Sequence, residues 1–259
     1  MKLSASLVLY KNAPDIVRNA VISLLNTPIT IHFSVVDNSP TSELSQVFSE
    51  FQDFDIEYFH NKGNNVGFGK AHNLAIRTVK KCKYHLVMNP DVYFEPNVLI
   101  ELIKYLETNQ DVGLVTPKIL SPNGEIQYLC KRNPSVFILF ARRFIPRILQ
   151  NLFKGYLNWY EMRETGYNRV MDVPYLSGCF MLFRKEYLDE IGYFDENIFM
   201  YLEDADITRR MSQKYRAIFY PHVHIYHHWA RGSYKSLRLM LITIQSSFYL
   251  FNKYGWRLF

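Results

Sequence analysis

A chain of 259 residues with 48% hydrophobic content has ample material for a core, either as one large domain or as a domain with an appended lobe, which excludes a disordered protein. Its net charge of +6 suits an anionic ligand or an anionic membrane surface, and no nucleic-acid-binding motif accompanies it. Cys82, Cys130 and Cys179 are odd in number and widely spaced, which excludes a CxxC pair and zinc spacing and points to reduced cytosolic thiols.

The chain runs from Met1-Lys2-Leu3-Ser4 directly into a strand over residues 3–9, so no signal peptide is expected. No stretch of roughly 18 uninterrupted apolar residues occurs, so no spanning helix is expected either. Residues 14–25 have helical spacing (Ile16, Val17, Ala20, Val21, Leu24), with Pro14 suited to the first turn. A strand over 29–36 ends in the turn cluster Asp37-Asn38-Ser39-Pro40. A helix over 42–51, a strand over 56–59, a Gly/Asn loop over 61–67, a helix over 69–80 and a strand over 84–88 follow. Strands alternating with helices predict a mainly parallel sheet covered on both faces, with ligands beyond the carboxyl ends of its strands. Asp37, the Asn65 loop and Asp91 all follow strands and so face one crevice.

After a helix over 97–107 and a strand over 113–117 the pattern changes. Ser121-Pro122-Asn123-Gly124 reads as a hairpin turn between residues 118–120 and 126–128. Residues 134–159 are apolar and basic, with Phe137, Phe140, Phe144, Ile148, Leu152, Arg142, Arg143, Arg147 and Lys154. They suit either the surface of a membrane with anionic headgroups or an acceptor-side lid or helix pair broken at Pro146. Residues 173–184 read as a strand, 204–214 as a helix, 217–220 as a strand and 237–253 as a long, mostly apolar helix.

Four segments carry chemistry. In Asn89-Pro90-Asp91, a carboxylate just past a buried strand suits a divalent cation completed by phosphate oxygens; the plain alternative is a turn or a helix cap. Glu203, Asp204 and Asp206 follow Phe199-Met200-Tyr201-Leu202. Acids at a helix N-terminus are favoured by the macrodipole, but a general base also needs a carboxylate there. Glu203 and Asp204, as helical neighbours, point about 100° apart, so one faces an acceptor while the other orients loops. His227 and His228 precede Trp229, Arg231 and Ser233, groups suited to a metal and a diphosphate. The loop from Asn64 through Asn65 and Gly67 to Asn73 opens a helix whose N-terminus suits an anion or a base edge. It lacks the spacing of the dinucleotide fingerprint and of the P-loop, and a tight strand-to-helix turn is the alternative.

Taken in order, these segments resemble family 2 glycosyltransferases of fold type A, and most of all the bacterial rhamnosyltransferase-like branch that builds O-antigen and capsule. The matching pieces are Val8-Leu9-Tyr10-Lys11-Asn12, Val35-Val36-Asp37-Asn38-Ser39, Asn65 to Gly69 with Asn73, and Asn89-Pro90-Asp91. They continue with Ser177-Gly178-Cys179, Gly192-Tyr193-Phe194-Asp195-Glu196, Phe199 to Asp206 with Arg209 or Arg210, and His227 to Ser233. The resemblance implies an α/β, Rossmann-like GT-A fold: a mixed, mainly parallel sheet flanked by helices, with a C-terminal acceptor-side helical extension. It implies a nucleotide-sugar half (1–117) and an acceptor and catalytic half (118–259) in one continuous domain.

Carried over by matching position, Tyr10, Asn12, Asp37, Asn65, Gly67, Asn73, Asn89, Asp91, Arg231 and Ser233 would bind the nucleotide sugar, with Asp37 at the base or ribose. Gly178, Cys179 and Tyr201 would meet the acceptor, and Asp204, with Glu203, would be catalytic. Asp91 and His227 would hold a divalent metal, Mg or Mn, with His227 favoured over His228 by its distance to Ser233. The family usually has Asp-x-Asp where this chain has Asn89-Pro90-Asp91, which removes one carboxylate from the metal site. The same resemblance implies inverting transfer of rhamnose from its deoxythymidine-diphosphate donor to a polyprenyl-diphosphate-linked glycan. The place implied is the cytoplasm, at the inner face of the membrane.

Two other functions fit parts of the chain. A non-catalytic sugar-nucleotide-binding subunit would keep Asp37 and the Asn65 loop but need neither Asp204 nor His227. A sugar-phosphate nucleotidyltransferase would need a Gly-rich, Arg-bearing phosphate loop where this chain reads Tyr10-Lys11-Asn12-Ala13-Pro14.

Overall fold

In the computed structural model, which describes residues 3–79, 81–144, 151–228 and 236–259, strand β1 (Leu3–Leu9) lies between β2 (Ile31–Asp37) and β4 (Tyr84–Met88). Both pairings are parallel, and β2 pairs in parallel with β3 (Ile56–His60). Leu9 sits beside Asp37 and Asp37 beside His60, while Leu7 sits beside Met88. The loops that follow these strands therefore leave from one edge, where an open α/β sheet binds ligands.

The central strand is covered on both faces, so it lacks the polar alternation of a half-exposed strand. Leu3, Ala5, Leu7 and Leu9 enter the main core beneath helix α1 (Pro14–Leu25). Ser4 and Ser6 point the other way and meet buried imidazoles. Ser4 Oγ lies 2.7 Å from His85 Nδ1, and Ser6 Oγ lies 2.9 Å from His85 Nε2 and 2.7 Å from His72 Nδ1. His72 is on helix α3 (Phe68–Thr78), and burial lowers it to about 3, so that face packs as neutral hydrogen-bonded polar groups.

Three expected elements differ. The helix expected over 42–51 is a four-residue α2 (Ser45–Phe48) that tightens into a 3-10 turn (Ser49–Phe51) while Val47 and Phe48 remain in the core. The strand expected over 173–184 begins only at Phe180, as β8 (Phe180–Arg184), preceded by the two-residue β7 (Met171–Asp172). The amides of its missing part divide between partners: Val173 N and Tyr175 N donate to the carbonyls of Ala217 and Lys131, whereas Leu176 N donates to Thr208 Oγ1 at 3.4 Å and Gly178 N to Asp204 Oδ2 at 3.0 Å, so no single ladder forms. The strand expected over 217–220 extends to twelve residues, β9 (Arg216–His227). Pro221 lies within it, where the register shifts from Pro117–Tyr220 to Lys118–His224, a bulge that tolerates a residue without an N–H.

Strand β8 runs antiparallel between β4 and β6 (Val112–Leu120), and β6 runs parallel to β9. The short β5 (Val92–Phe94) and β7 pair antiparallel with β9, and the sheet order is β3-β2-β1-β4-β8-β6-β9-β5 with β7 off that path. Residue 117, the expected boundary between halves, lies inside β6. The expected hairpin turn closes through Gly124 N to Ser121 O and Ser121 N to Glu125 O, both 2.8 Å, but beyond it only a single bridge joins Leu120 to Ile126.

Helix α4 (Asn97–Thr108) covers β6 and β9; α5 (Val136–Phe144), α6 (Lys154–Tyr160), α7 (Lys185–Ile191), α8 (Glu203–Met211) and α9 (Leu237–Tyr254) complete the fold. Asp206 on α8 is fully buried and anchors α9. Its carboxylate takes Arg210 Nε at 2.8 Å, Lys253 Nζ at 2.7 Å and Tyr254 OH at 2.8 Å. A buried carboxylate is tolerable only with such partners, so Asp206 serves the packing of α9. The C-terminal segment returns to α5, where Val136 N reaches Arg257 O at 2.8 Å. Pro146, Arg147 and Ile148, expected on the 134–159 stretch, and Lys80, expected to end a helix, lie outside the described residues. Among the described residues, no helix is long and apolar enough to cross a membrane.

Candidate active site

Asn89-Pro90-Asp91 links β4 to β5, and the pairing of Val92 with His227 brings the end of β9 beside it. His227 Nε2 lies 3.5 Å from Asp91 Oδ1, and His228 N donates to the Asp91 carbonyl at 2.9 Å. His228 itself turns outward against the Tyr93 ring, with centroids 5.4 Å apart. Asp91 Oδ1 is buried without a hydrogen-bond partner. Such an atom is costly to leave bare, and a carboxylate facing an imidazole nitrogen at this separation fits a shared divalent cation, each at about 2.1 Å. Among the described residues no group of three or more His, Cys, Asp or Glu side chains forms a metal cluster. Two protein ligands would leave the remaining positions of such a cation to phosphate oxygens and water.

Asp204 stands in the first turn of α8. The chain enters that helix through Tyr201 (φ 69°) and Leu202 (φ 70°), two consecutive left-handed non-glycine residues. This strained entry throws the helix N-terminus toward the crevice. Asp204 Oδ2 accepts from Gly178 N at 3.0 Å, and the next residue along the chain continues the bridge: Asn89 N donates to Cys179 O at 2.9 Å. Two consecutive residues, Gly178 and Cys179, thus tie the Asp204 carboxylate to the segment that carries Asp91. An added Cβ at Gly178 would sit 3.3 Å from the Asp204 Cβ, a tight approach that would press on the carboxylate's side chain. The Cys179 thiol is buried and pushed up to about 12 by that burial, so this residue offers the site its backbone. Tyr201 is half-buried beside the same turn.

Glu203 and Asp204 divide as neighbours on a helix must. Asp204 keeps partial exposure, whereas Glu203 is buried and its Oε2 has no hydrogen-bond partner. Burial first, then the adjacent Asp204 charge, holds the Glu203 carboxyl well above the usual carboxylate range. A raised folded value means that the native state prefers the protonated acid. The associated stability is complete below the unfolded value near 4.5 and is lost as pH rises through the folded value. Glu203→Gln is therefore expected to flatten the loss of melting temperature between acidic and alkaline pH. Parallel pH profiles for the variant and the wild type in thermal melts would rule this out.

The edge expected to take the nucleotide is more closed than its residue types suggest. Asp37 is fully buried; its Oδ1 accepts from Ser39 N at 2.8 Å and its Oδ2 from Tyr58 OH at 2.5 Å. The Tyr58 phenol is raised above its ordinary value by burial and then by Asp37. Ser39 Oγ in turn accepts from Lys11 N at 2.9 Å, and Asn12 Oδ1 accepts from Tyr10 N at 2.8 Å, leaving the Tyr10 ring exposed at the rim. Asn65 Oδ1 caps Gly67 N at 3.0 Å. Asn73 is fully buried and clasps Phe194 through both its amide atoms, with Nδ2 to the carbonyl at 2.9 Å and Oδ1 from the N–H at 3.0 Å. It ties α3 to the segment before Phe199. Arg231 and Ser233, expected at the diphosphate, lie outside the described residues.

Sequence reasoning missed three residues around these groups. Tyr58 holds Asp37, and Tyr175, fully enclosed, packs beside Asp204, whose charge adds to burial in raising its phenol. Gln127 reaches His227 from a segment a hundred residues away. None carries a local signal, since each meets its partner only through tertiary packing.

Residues 7–192 match the family described as Glycosyl transferase family 2. An N-acetylglucosaminyl-diphospho-decaprenol L-rhamnosyltransferase of Mycobacterium tuberculosis is 24% identical over 264 residues, spanning 94% of this chain and 81% of that protein. The rhamnosyltransferase WbbL of Escherichia coli is 25% identical over 189 residues, spanning 70% of this chain and 67% of that protein. The mannosyltransferase PcManGT from Pyrobaculum calidifontis, solved with GDP-Man and Mn2+, has the same fold at a TM-score of 0.61 and 17% identity. The likeness covers 89% of this chain and 58% of that chain.

Proposed function

The chain belongs to glycosyl transferase family 2, and from that premise we propose that it transfers a sugar, with inversion, from a nucleotide donor to a lipid-linked glycan. The observation that carries the proposal is the Gly178–Cys179 bridge. It joins a partly exposed carboxylate, Asp204, to the Asn89–Asp91 segment beside His227. Asp204 accepts the proton of the acceptor hydroxyl. The freed oxygen forms the new bond to the anomeric carbon as the bond to the nucleoside diphosphate breaks, and the electron pair leaves with the phosphate oxygen. A divalent cation, Mg or Mn, held by Asp91 and His227 would neutralise charge on that leaving group. Tyr10, Asn12, Asp37, Asn65 and Gly67 line the loops at the proposed donor edge, and the role proposed for Arg231 and Ser233 is binding of the diphosphate. Asp37, Asn65 and Asn73 act there largely by shaping the loops.

The donor we propose is deoxythymidine-diphosphate rhamnose and the acceptor a glycan on a polyprenyl diphosphate, in keeping with the rhamnosyltransferases to which the chain is similar. Such an acceptor places the protein in the cytoplasm, against the inner face of the membrane. The exposed Leu152 and Trp159, with basic residues nearby, supply a surface of the right character. The test is nucleoside diphosphate release from a panel of sugar nucleotides with Mn2+ or Mg2+, using acceptor in vesicles or dispersed in detergent. Release from the rhamnose donor, lost with a chelator and faster on vesicles, is the expected result. Binding of donor without turnover on any acceptor would instead favour a non-catalytic sugar-nucleotide-binding subunit.

A further inference from the structure

We propose that Gln127 is a positioning residue for His227, locking the imidazole in the tautomer whose Nε2 lone pair faces Asp91. The proposal rests on the reading of Asp91 and His227 as metal ligands. Gln127 lies just past the Ser121–Gly124 turn and is buried. Its Nε2 lies 2.7 Å from the backbone carbonyl oxygen of His227. A carbonyl oxygen can only accept, so the nitrogen of the side-chain amide must stand on that side; a flipped amide would press two oxygens together. The same nitrogen also reaches Ser121 Oγ at 3.3 Å, which uses its second hydrogen. Gln127 Oε1 is thereby turned toward His227 Nδ1, 2.9 Å away. An amide oxygen only accepts, so Nδ1 must carry the proton.

In the neutral ring Nε2 is then left with its lone pair, 3.5 Å from an Asp91 oxygen that is buried and without a hydrogen-bond partner. Two electron-pair donors facing each other repel unless a cation lies between them, and this is the arrangement that one Gln side chain enforces. Pairing of Val92 with His227 sets the backbone of the histidine, and Gln127 sets its ring. Because it grips both the carbonyl and the ring of one residue, it also stops the imidazole from rotating about its side-chain torsions. Outer partners of this kind hold metal-binding histidines and raise their basicity. The chain has one carboxylate fewer than Asp-x-Asp would supply, so the orientation of the remaining nitrogen ligand matters more.

Two measurements test this. In metal-free wild-type protein labelled with 15N-histidine, NMR at a pH where the ring is neutral should find His227 protonated at Nδ1; protonation at Nε2 would overturn the proposal. Binding of Mn2+ alone, followed by loss of the free-ion EPR signal, should weaken about 10–100-fold in Gln127→Leu, as expected for removal of an outer partner. Asp91→Ala and His227→Ala serve as references. Wild-type Mn2+ affinity in Gln127→Leu beside a loss in Asp91→Ala would refute the role of Gln127. Unchanged affinity in both reference variants would instead bring down the metal reading itself, and this proposal with it. Should Gln127→Leu fail to fold, the wild-type tautomer still decides.

Discussion

Asp204→Asn is expected to lower turnover by about 10²–10⁴-fold while leaving donor binding and melting temperature close to wild type. With its oxygen turned to Gly178 N, which lies 3.0 Å from Oδ2, the replacement keeps the bridge to Cys179 and Asn89 and gives up only the contact of Ala205 N with Oδ1 at 3.0 Å, which an amide NH2 cannot accept. It removes the basicity, and among the described residues neither neighbouring acid can replace it. Glu203 is its sequence neighbour but is buried and favours its protonated form, so it cannot take over as base. Asp206 is committed to Arg210, Lys253 and Tyr254. Single-turnover rates and calorimetric binding of the nucleoside diphosphate would separate the two roles. A near-wild-type rate would remove Asp204 as the base, and a parallel loss of donor binding and melting temperature would make it a structural residue.

Gly67→Ala is expected to be the most damaging small substitution at the donor edge, costing about 3 kcal/mol or more of stability. Gly67 adopts φ 90° and ψ 176°, a region that only glycine occupies comfortably. An added Cβ would lie 2.2 Å from the carbonyl oxygen of Phe199, a backbone atom that cannot swing aside. The adjacent Phe68 N donates to that same carbonyl at 2.9 Å. The contact therefore joins the start of α3 to the strained turn that presents Asp204, and pushing it apart should lower activity as well as stability. For a chain of this size the melting temperature should fall by roughly 6–12 °C. Gly124→Ala is the control: its φ of 84° is also left-handed, but its Cβ would meet nothing within 4 Å, so the cost should be about 1 kcal/mol. Equal effects of the two substitutions would refute the role given to the Phe199 contact.

Much of the scaffold was legible before any coordinates. Strands β1 and β4 and helices α1 and α9 occur where their periodicity predicts, give or take a residue at the last, because each is decided by its own apolar face or buried run. Elements whose backbone is satisfied from outside were misread. Residues 173–179 have the composition of a strand but divide their amides between the carbonyls of Ala217 and Lys131 and the side chains of Thr208 and Asp204, and β9 passes through Pro221 because a bulge absorbs it. The three-residue β5 is too short to carry a pattern, yet it brings His227 to Asp91.

The chemistry divides along the same line. The reactive groups are legible from the order of residues: a carboxylate after β4, acids at the start of α8, a histidine pair at the end of β9 and glycines in the loop before α3. Spacing alone put these groups at strand and helix ends, where backbone geometry exposes side chains to a shared crevice. The surroundings of each acid come from packing, because burial and partners are properties of the folded chain. It buried Glu203, engaged Asp206 with three donors, enclosed Asp37 between Ser39 and Tyr58, and left Asp204 partly open against Gly178. It also brought Gln127 to His227 across a separation of a hundred residues, a contact that no local pattern encodes because strand pairing in the sheet creates it.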